Sequence, residues 1–164
     1  MQTLESLLKK GTTILKDNGL EEAGLDAWLL LEFKTGINRA YYFAHGDEPV
    51  SDETAAEYLE LIGRRAGHIP VQQLTHQAFF MGYEFYVNEN VLIPRQDTET
   101  LVEEGLKCLE DVEKPEILDM CTGSGCILIS LLLERQDARG AGVDVSPEAL
   151  EVAKENASLP KVEN

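Results

Sequence analysis

Two glycines and two acids in the second half of the chain are spaced to hold a small polar ligand. Gly123 and Gly125 lie in the stretch "LDMCTGSGCILIS", residues 118–130. There an apolar run stops at Asp119, a loop of small residues follows, and a second apolar run begins. Glycines in such a loop remove side chains where a ligand must approach the backbone. The helix that follows aims its free N–H groups and the positive end of its dipole at the same spot. Asp144 stands 21 residues after Gly123, at the end of the next apolar stretch, "GAGVDV". An acid at the tip of a neighbouring parallel strand can accept both hydroxyl hydrogens of a ribose. A glycine loop with an acid about twenty residues further on therefore points to a ribose-bearing cofactor. The alternative is a tight turn that holds nothing.

The spacing narrows the choice of cofactor. A dinucleotide fingerprint asks for a third glycine where Leu128 stands, and no Gly-Lys-Ser/Thr follows to make a phosphate loop. S-adenosylmethionine carries ribose and adenine without phosphate. Its carboxylate suits a helix N-terminus, and its ammonium suits an acid such as Asp119. It is therefore favoured over a nicotinamide dinucleotide. No metal site is expected. Cys121 and Cys126 flank the loop without a second pair of ligands, and His45, His68 and His76 are scattered.

These residues need a scaffold, and the chain has enough length for one. Its 164 residues, 43% of them hydrophobic, suffice for one ordinary core or two small ones. The net charge is −16, and acids outnumber bases 14 to 7 up to Asn90 and 16 to 7 after it. No basic stripe is available to displace counterions from a nucleic acid, so nucleic-acid binding is not expected. No signal peptide and no apolar run of membrane-spanning length are visible, and three cysteines form no disulfide framework. A cytoplasmic location is expected.

Residues 1 to about 75 read as a helical bundle. Leu4, Leu7, Leu8, Ile14 and Leu15 recur at helical spacing before Gly19. "LDAWLLLEFKTG" is a second helix ending near Gly36, and "INRAYYFAHG" a short third. Ser51 caps a fourth, with Ala55, Leu59 and Ile62 as its buried stripe. Trp28, Tyr41, Tyr42 and Phe43 are expected mainly in the core, with a contact surface as the alternative. From Ala78, "AFFMGYEFYVNENVLIP" reads as short antiparallel strands joined by turns at Gly82 and residues 88–90. A helix capped by Asp97 or Thr98 follows, with Leu101, Val102, Leu106 and Leu109 inward, and Pro115 ends it. "EILDM", "GCILISLLLE", "GAGVDV" and "SPEALEVAKENA" then alternate strand and helix, the opening of a doubly wound parallel sheet.

"VLIPRQDTETLVE", "ILDMCTGSGCILISL" and "GVDVSPEALEVAKENA" closely resemble the bacterial glutamine methyltransferases that modify peptide chain release factors. "LDAWLLL" and "RRAGHIPVQQL" are similar to that family's substrate-docking domain, so the resemblance covers nearly the whole chain. It implies an α/β architecture: a helical docking domain over 1–75, a β-hairpin connector over 76–94, and over 95–164 the first βαβα part of a Rossmann-like class I methyltransferase sheet. It implies methyl transfer from S-adenosylmethionine to the side-chain amide nitrogen of the glutamine in a Gly-Gly-Gln motif. By the same resemblance, Cys121, Thr122, Gly123, Ser124 and Gly125 wrap the methionine end of the cofactor. Asp144 holds the ribose, Asp119 fixes the loop or meets the ammonium, and Arg95 and Glu99 close over the site. The family usually has Gly where Cys121 stands and often Pro where Gln96 stands.

The family grips the target amide with an Asn-Pro-Pro-Tyr loop after the fourth strand, and this sequence has no two adjacent prolines. The expectation is accordingly a fragment whose catalytic loop lies beyond Asn164, inactive by itself. Two rivals are a methyltransferase for exocyclic amines of nucleic-acid bases and a protein-binding module with a vestigial cofactor domain. A nicotinamide-dependent reductase comes last.

Overall fold

The N-terminal helices form where polar caps meet apolar stripes. In a computed structural model, which describes residues 2–159, the chain divides into two compact units, Met1–Thr75 and His76–Asn164. The described residues form eight helices and three two-stranded sheets, a mixed α/β chain. The end of the expected cofactor domain, residues 160–164, lies outside the described residues.

In the first unit, β1 (Gln2–Thr3) leads into α1 (Leu4–Asp17), followed by α2 (Ala23–Thr35), α3 (Arg39–His45), β2 (Pro49–Val50), α4 (Asp52–Ala66) and α5 (Val71–Thr75). Thr3 and Ser6 cap α1 reciprocally: Thr3 Oγ1 accepts the Ser6 N–H at 3.2 Å and Ser6 Oγ accepts the Thr3 N–H at 2.8 Å. Gly36 ends α2 in the left-handed region, its N–H bonded to the Glu32 carbonyl at 2.7 Å. Leu7, Leu15, Leu30, Leu31, Tyr58 and Ile62 are fully buried. Each such side chain contributes about 1.5–3 kcal/mol of transfer free energy.

Gly11 lies inside α1 because Tyr58 needs its space. A Cβ there would sit 2.1 Å from the Tyr58 hydroxyl, which donates to the Ala27 carbonyl at 3.2 Å. Nearby, the Arg65 guanidinium meets Asp26 at 2.8 Å and also donates to the Ile69 carbonyl. The stripe of α4 differs from the expected one. Tyr58 and Leu61 are buried beside Ala55 and Ile62, and Leu59 is only partly covered. The antiparallel pairing of β1 with β2 was not expected, since each strand is two residues long.

The second unit opens with a hairpin, β3 (Gln77–Phe80) and β4 (Tyr83–Tyr86). Its two-residue turn places Met81 at φ 52° and Gly82 at φ 78°, the backbone that a tight hairpin with right-handed twist requires. Phe80 and Phe85 pack with Val102 of α6 (Gln96–Leu109) and with Leu131 of α7 (Cys126–Glu134). The cap of α6 is Arg95, not Asp97 or Thr98. The chain is extended at Arg95 after Pro94 and turns at once, so Asp97 and Glu99 fall in the first turn, where acids suit the dipole. Leu101 points outward at 58% exposure, because Val102, Leu106 and Leu109 share the inward stripe.

β5 (Glu116–Met120) pairs in parallel with β6 (Arg139–Val143), Leu118 opposite Ala141. α7 connects them, and α8 (Pro147–Ser158) follows β6. Gly140 lets α7 press on the sheet: a Cβ there would lie 2.5 Å from Leu128 Cδ1. Ser146 caps α8, accepting the Ala149 N–H at 3.1 Å, and Pro147 takes the first helical position. The other face of the strand pair is open, with Leu118, Met120 and Val143 exposed at 62%, 66% and 40%. No helix among the described residues is long and apolar enough to cross a membrane.

Candidate functional site

Strand β5 ends at Met120, and the next five residues make the glycine loop before α7. Cys121 turns the chain with φ 65°, a left-handed conformation in a residue with a Cβ. The Thr122 N–H then returns to the sheet, donating to the Val143 carbonyl at 3.0 Å. Thr122 Oγ1 donates to Asp119 at 2.7 Å, so the acid at the end of β5 holds the base of the loop. A Cβ on Gly142 would meet Thr122 Oγ1 at 2.8 Å, so that glycine admits the loop against β6. A turn closes where the Gly125 N–H bonds the Thr122 carbonyl at 2.8 Å.

Gly123 has φ 55°, and among the described residues no heavy atom beyond its own and its chain neighbours' lies within 4 Å of where its Cβ would be. The loop is thus open on that side. Gly125, φ 79°, caps α7, and no side chain caps that helix in its place. The arrangement suits an approaching carboxylate, with a helix N-terminus free of side-chain caps beside a glycine with open space in front.

Asp144 follows β6 and is brought to the loop. Its carboxylate accepts the Gly123 N–H at 2.9 Å and the Ser146 N–H at 3.0 Å. Those bonds hold its pKa below the usual carboxylate value, the Ser146 bond most and the Gly123 bond next. A carboxylate offers about four lone-pair sites, so Asp144 keeps capacity to accept from a ligand hydroxyl. Val145, beside it, is 95% exposed.

The structure thus brings Asp119, Cys121, Thr122, Gly123, Ser124, Gly125 and Asp144 together. Arg95 and Glu99 stand apart from that network in its hydrogen bonding. Arg95 is exposed at the start of α6, and Glu99 Oε1 accepts the Met81 N–H at 2.8 Å, tying α6 to the hairpin turn. Cys126 is buried, and burial is the main cause of its raised thiol pKa.

One participant was not found from sequence. Asn156 of α8 is fully buried, and its amide bonds both the Ser124 carbonyl and the backbone of Tyr86. The available signal was a polar residue on the stripe Ala149, Val152, Asn156. The aromatic residues of the first unit divide. Trp28 is core, Tyr42 packs partly against it, and Tyr41 and Phe43 are exposed at 40% and 78%.

By class, the second unit is a parallel β–loop–α–β arrangement with an acid bonded to a glycine loop, joined in one chain to a helical unit. Comparison with known proteins gives the particular relationship. Residues 6–75 match the family described as the PrmC N-terminal domain. The chain is similar to release factor glutamine methyltransferases across most of its length. That of Burkholderia pseudomallei is 43% identical over 133 residues, 81% of this chain and 47% of the relative. That of Leptospira interrogans is 40% identical over 153 residues, 93% and 54%. That of Bacillus subtilis is 36% identical over 161 residues, 96% and 55%. The resemblance read from the sequence is therefore shown, and the chain spans about half the length of the curated relatives it matches.

Proposed function

We propose that these residues are the docking domain, connector and cofactor cradle of a protein-glutamine methyltransferase. Its activity is transfer of a methyl group from S-adenosylmethionine to the side-chain amide nitrogen of the Gly-Gly-Gln glutamine in peptide chain release factors. The observation that carries the reading is the Gly123–Asp144 bond, which sets an open glycine, an uncapped helix start and a ribose-type acid side by side. The names of the relatives supply the substrate. On this reading the second unit is the first βαβα part of a Rossmann-like class I methyltransferase sheet. Residues 1–75 dock the substrate, 76–94 connect, and 95–164 hold the cofactor. Release factors are the partner, nucleic acid is not, and the cytoplasm is the site of action.

When bound, S-adenosylmethionine supplies a methyl group on a positively charged sulfur. The chain's own residues bind and orient. The first-turn N–H groups of α7 meet its carboxylate, and Asp144 accepts from its ribose. Asp119 steadies Thr122 and adds negative charge for the ammonium. Cys121 and Ser124 complete the wrap, and Arg95 and Glu99, one helical turn apart, close over it. An amide nitrogen is a weak nucleophile, so the reaction also needs donors and acceptors that grip the amide in line with the methyl group. No adjacent prolines stand in these residues to form the expected grip, so the 164-residue chain by itself is expected to bind without transferring.

The test uses the full-length protein that contains these residues, with methyl-labelled S-adenosylmethionine and a release factor. Label in the release factor, lost when the Gly-Gly-Gln glutamine is replaced and reduced about tenfold or more by Asp144→Ala, is the expected result. Label in a nucleic acid, or in neither, contradicts the reading.

A further inference from the structure

Asn156 is a buried amide whose bonds all leave its own helix. Its Oδ1 accepts the Tyr86 N–H at 2.7 Å, and its Nδ2 donates to the Tyr86 carbonyl and to the Ser124 carbonyl, each at 2.9 Å. The orientation of the amide is fixed by chemistry, since a backbone N–H can only face the oxygen and two carbonyls can only face the nitrogen. Tyr86 is 70 residues away in sequence and Ser124 is 32. Asparagine is a weak helix former, so it contributes little to α8 as a helix. What it does is join β4, α8 and the glycine loop at one point. Ser124 is itself buried at 3% exposure, so without this amide its carbonyl would lose a buried partner. The same helix also meets the next residue of the loop: a Cβ on Gly125 would be 3.3 Å from the Cβ of Ala153, one turn before Asn156.

We propose that Asn156 is a positioning residue for the cofactor loop. By holding the Ser124 carbonyl it sets the Ser124–Gly125 peptide, and through Tyr86 it makes that setting depend on the connector hairpin. The proposal rests on the reading of the loop as a cofactor cradle. It adds that the cradle is shaped from behind, by a side chain that touches no ligand. The hairpin thereby becomes part of the binding apparatus and not merely a link in the chain.

The test compares Asn156→Asp with Val152→Ala in the 164-residue chain. Asn156→Asp keeps the shape and the acceptor for Tyr86 but removes both donors. Val152 lies on the same buried face of α8 and packs with Ala78, Val87 and Val91, so its truncation loosens the same packing without touching Ser124. Two quantities are read by NMR: the affinity for S-adenosylhomocysteine and the hydrogen-exchange rates of the Gly123 and Gly125 amides. Asn156→Asp should weaken binding and speed exchange about tenfold or more, while Val152→Ala leaves both within about twofold of the parent chain. Equal effects of the two variants would overturn the proposal. Should Asn156→Asp not fold, Asn156→Ser gives the same comparison. If the parent chain binds no S-adenosylhomocysteine, the cradle reading fails, and the exchange rates still decide whether Asn156 sets the loop.

Discussion

Cys121 and Gly11 show how single backbone positions carry the local energetics. Cys121 sits at φ 65°, where a Cβ costs roughly 1–2 kcal/mol, against about 0.5–1 kcal/mol of extra unfolded-state entropy for glycine. Cys121→Gly should therefore raise stability by up to about 1 kcal/mol, read as a higher denaturant midpoint at unchanged slope. Gly11→Ala poses the opposite balance. Alanine gains about 1 kcal/mol of helix propensity, but its Cβ would displace the Tyr58 ring and break the bond to Ala27. The clash should win, at a cost of about 1–3 kcal/mol in the same unfolding experiment. Asp144 brings a pH dependence. Its folded pKa is depressed, so its contribution to stability is full above the ordinary carboxylate value and fades as pH falls through the depressed one. In Asp144→Asn, the loss of stability below about pH 4 should be shallower than in the parent chain.

At the scale of elements, the helices and strands were largely legible because their signals are local. Ser51, Ser146, Pro147 and Gly36 mark ends by their own chemistry, and each is found in that place. The strands of the parallel pair were marked by apolar runs that stop at an acid and at glycines. What was not legible depended on partners far along the chain. β1 and β2 are too short to show a pattern, and they pair because α1 and α4 place them side by side. Leu59 and Leu101 looked inward by spacing, but in α4 Tyr58 and Leu61 pack beside the expected Ala55 and Ile62, and in α6 the expected Val102, Leu106 and Leu109 pack without Leu101. The loop residues were legible by type and Asn156 was not, since its partners are 70 and 32 residues away. Glu99 gives a test at this scale. It satisfies the Met81 N–H at a turn where both residues have positive φ. Glu99→Ala should cost about 1–2 kcal/mol and speed amide exchange at Met81 and Gly82, whereas Thr100→Ala, exposed on the same helix, should leave both unchanged.

For the whole molecule, the distribution of exposed surface matters most. Leu118, Met120 and Val143 make one apolar face on β5 and β6, and a two-stranded sheet also leaves strand edges unpaired. The 164-residue chain should associate as its concentration rises. Paired Leu118→Lys and Met120→Glu changes should suppress that association in light scattering while leaving the α7 side of the sheet folded. The acidic surface, at a net charge of −16, opposes association at low salt, so added salt should promote it.

The most direct measurement is a residue-resolved NMR titration of the chain with S-adenosylhomocysteine, run beside NADH. The expected result is saturable shifts at the amides of Gly123, Ser124, Gly125 and Asp144 with S-adenosylhomocysteine alone, absent in Asp144→Ala. Shifts elsewhere, or equal shifts with NADH, would contradict the assignment of this loop as a methyl-donor cradle.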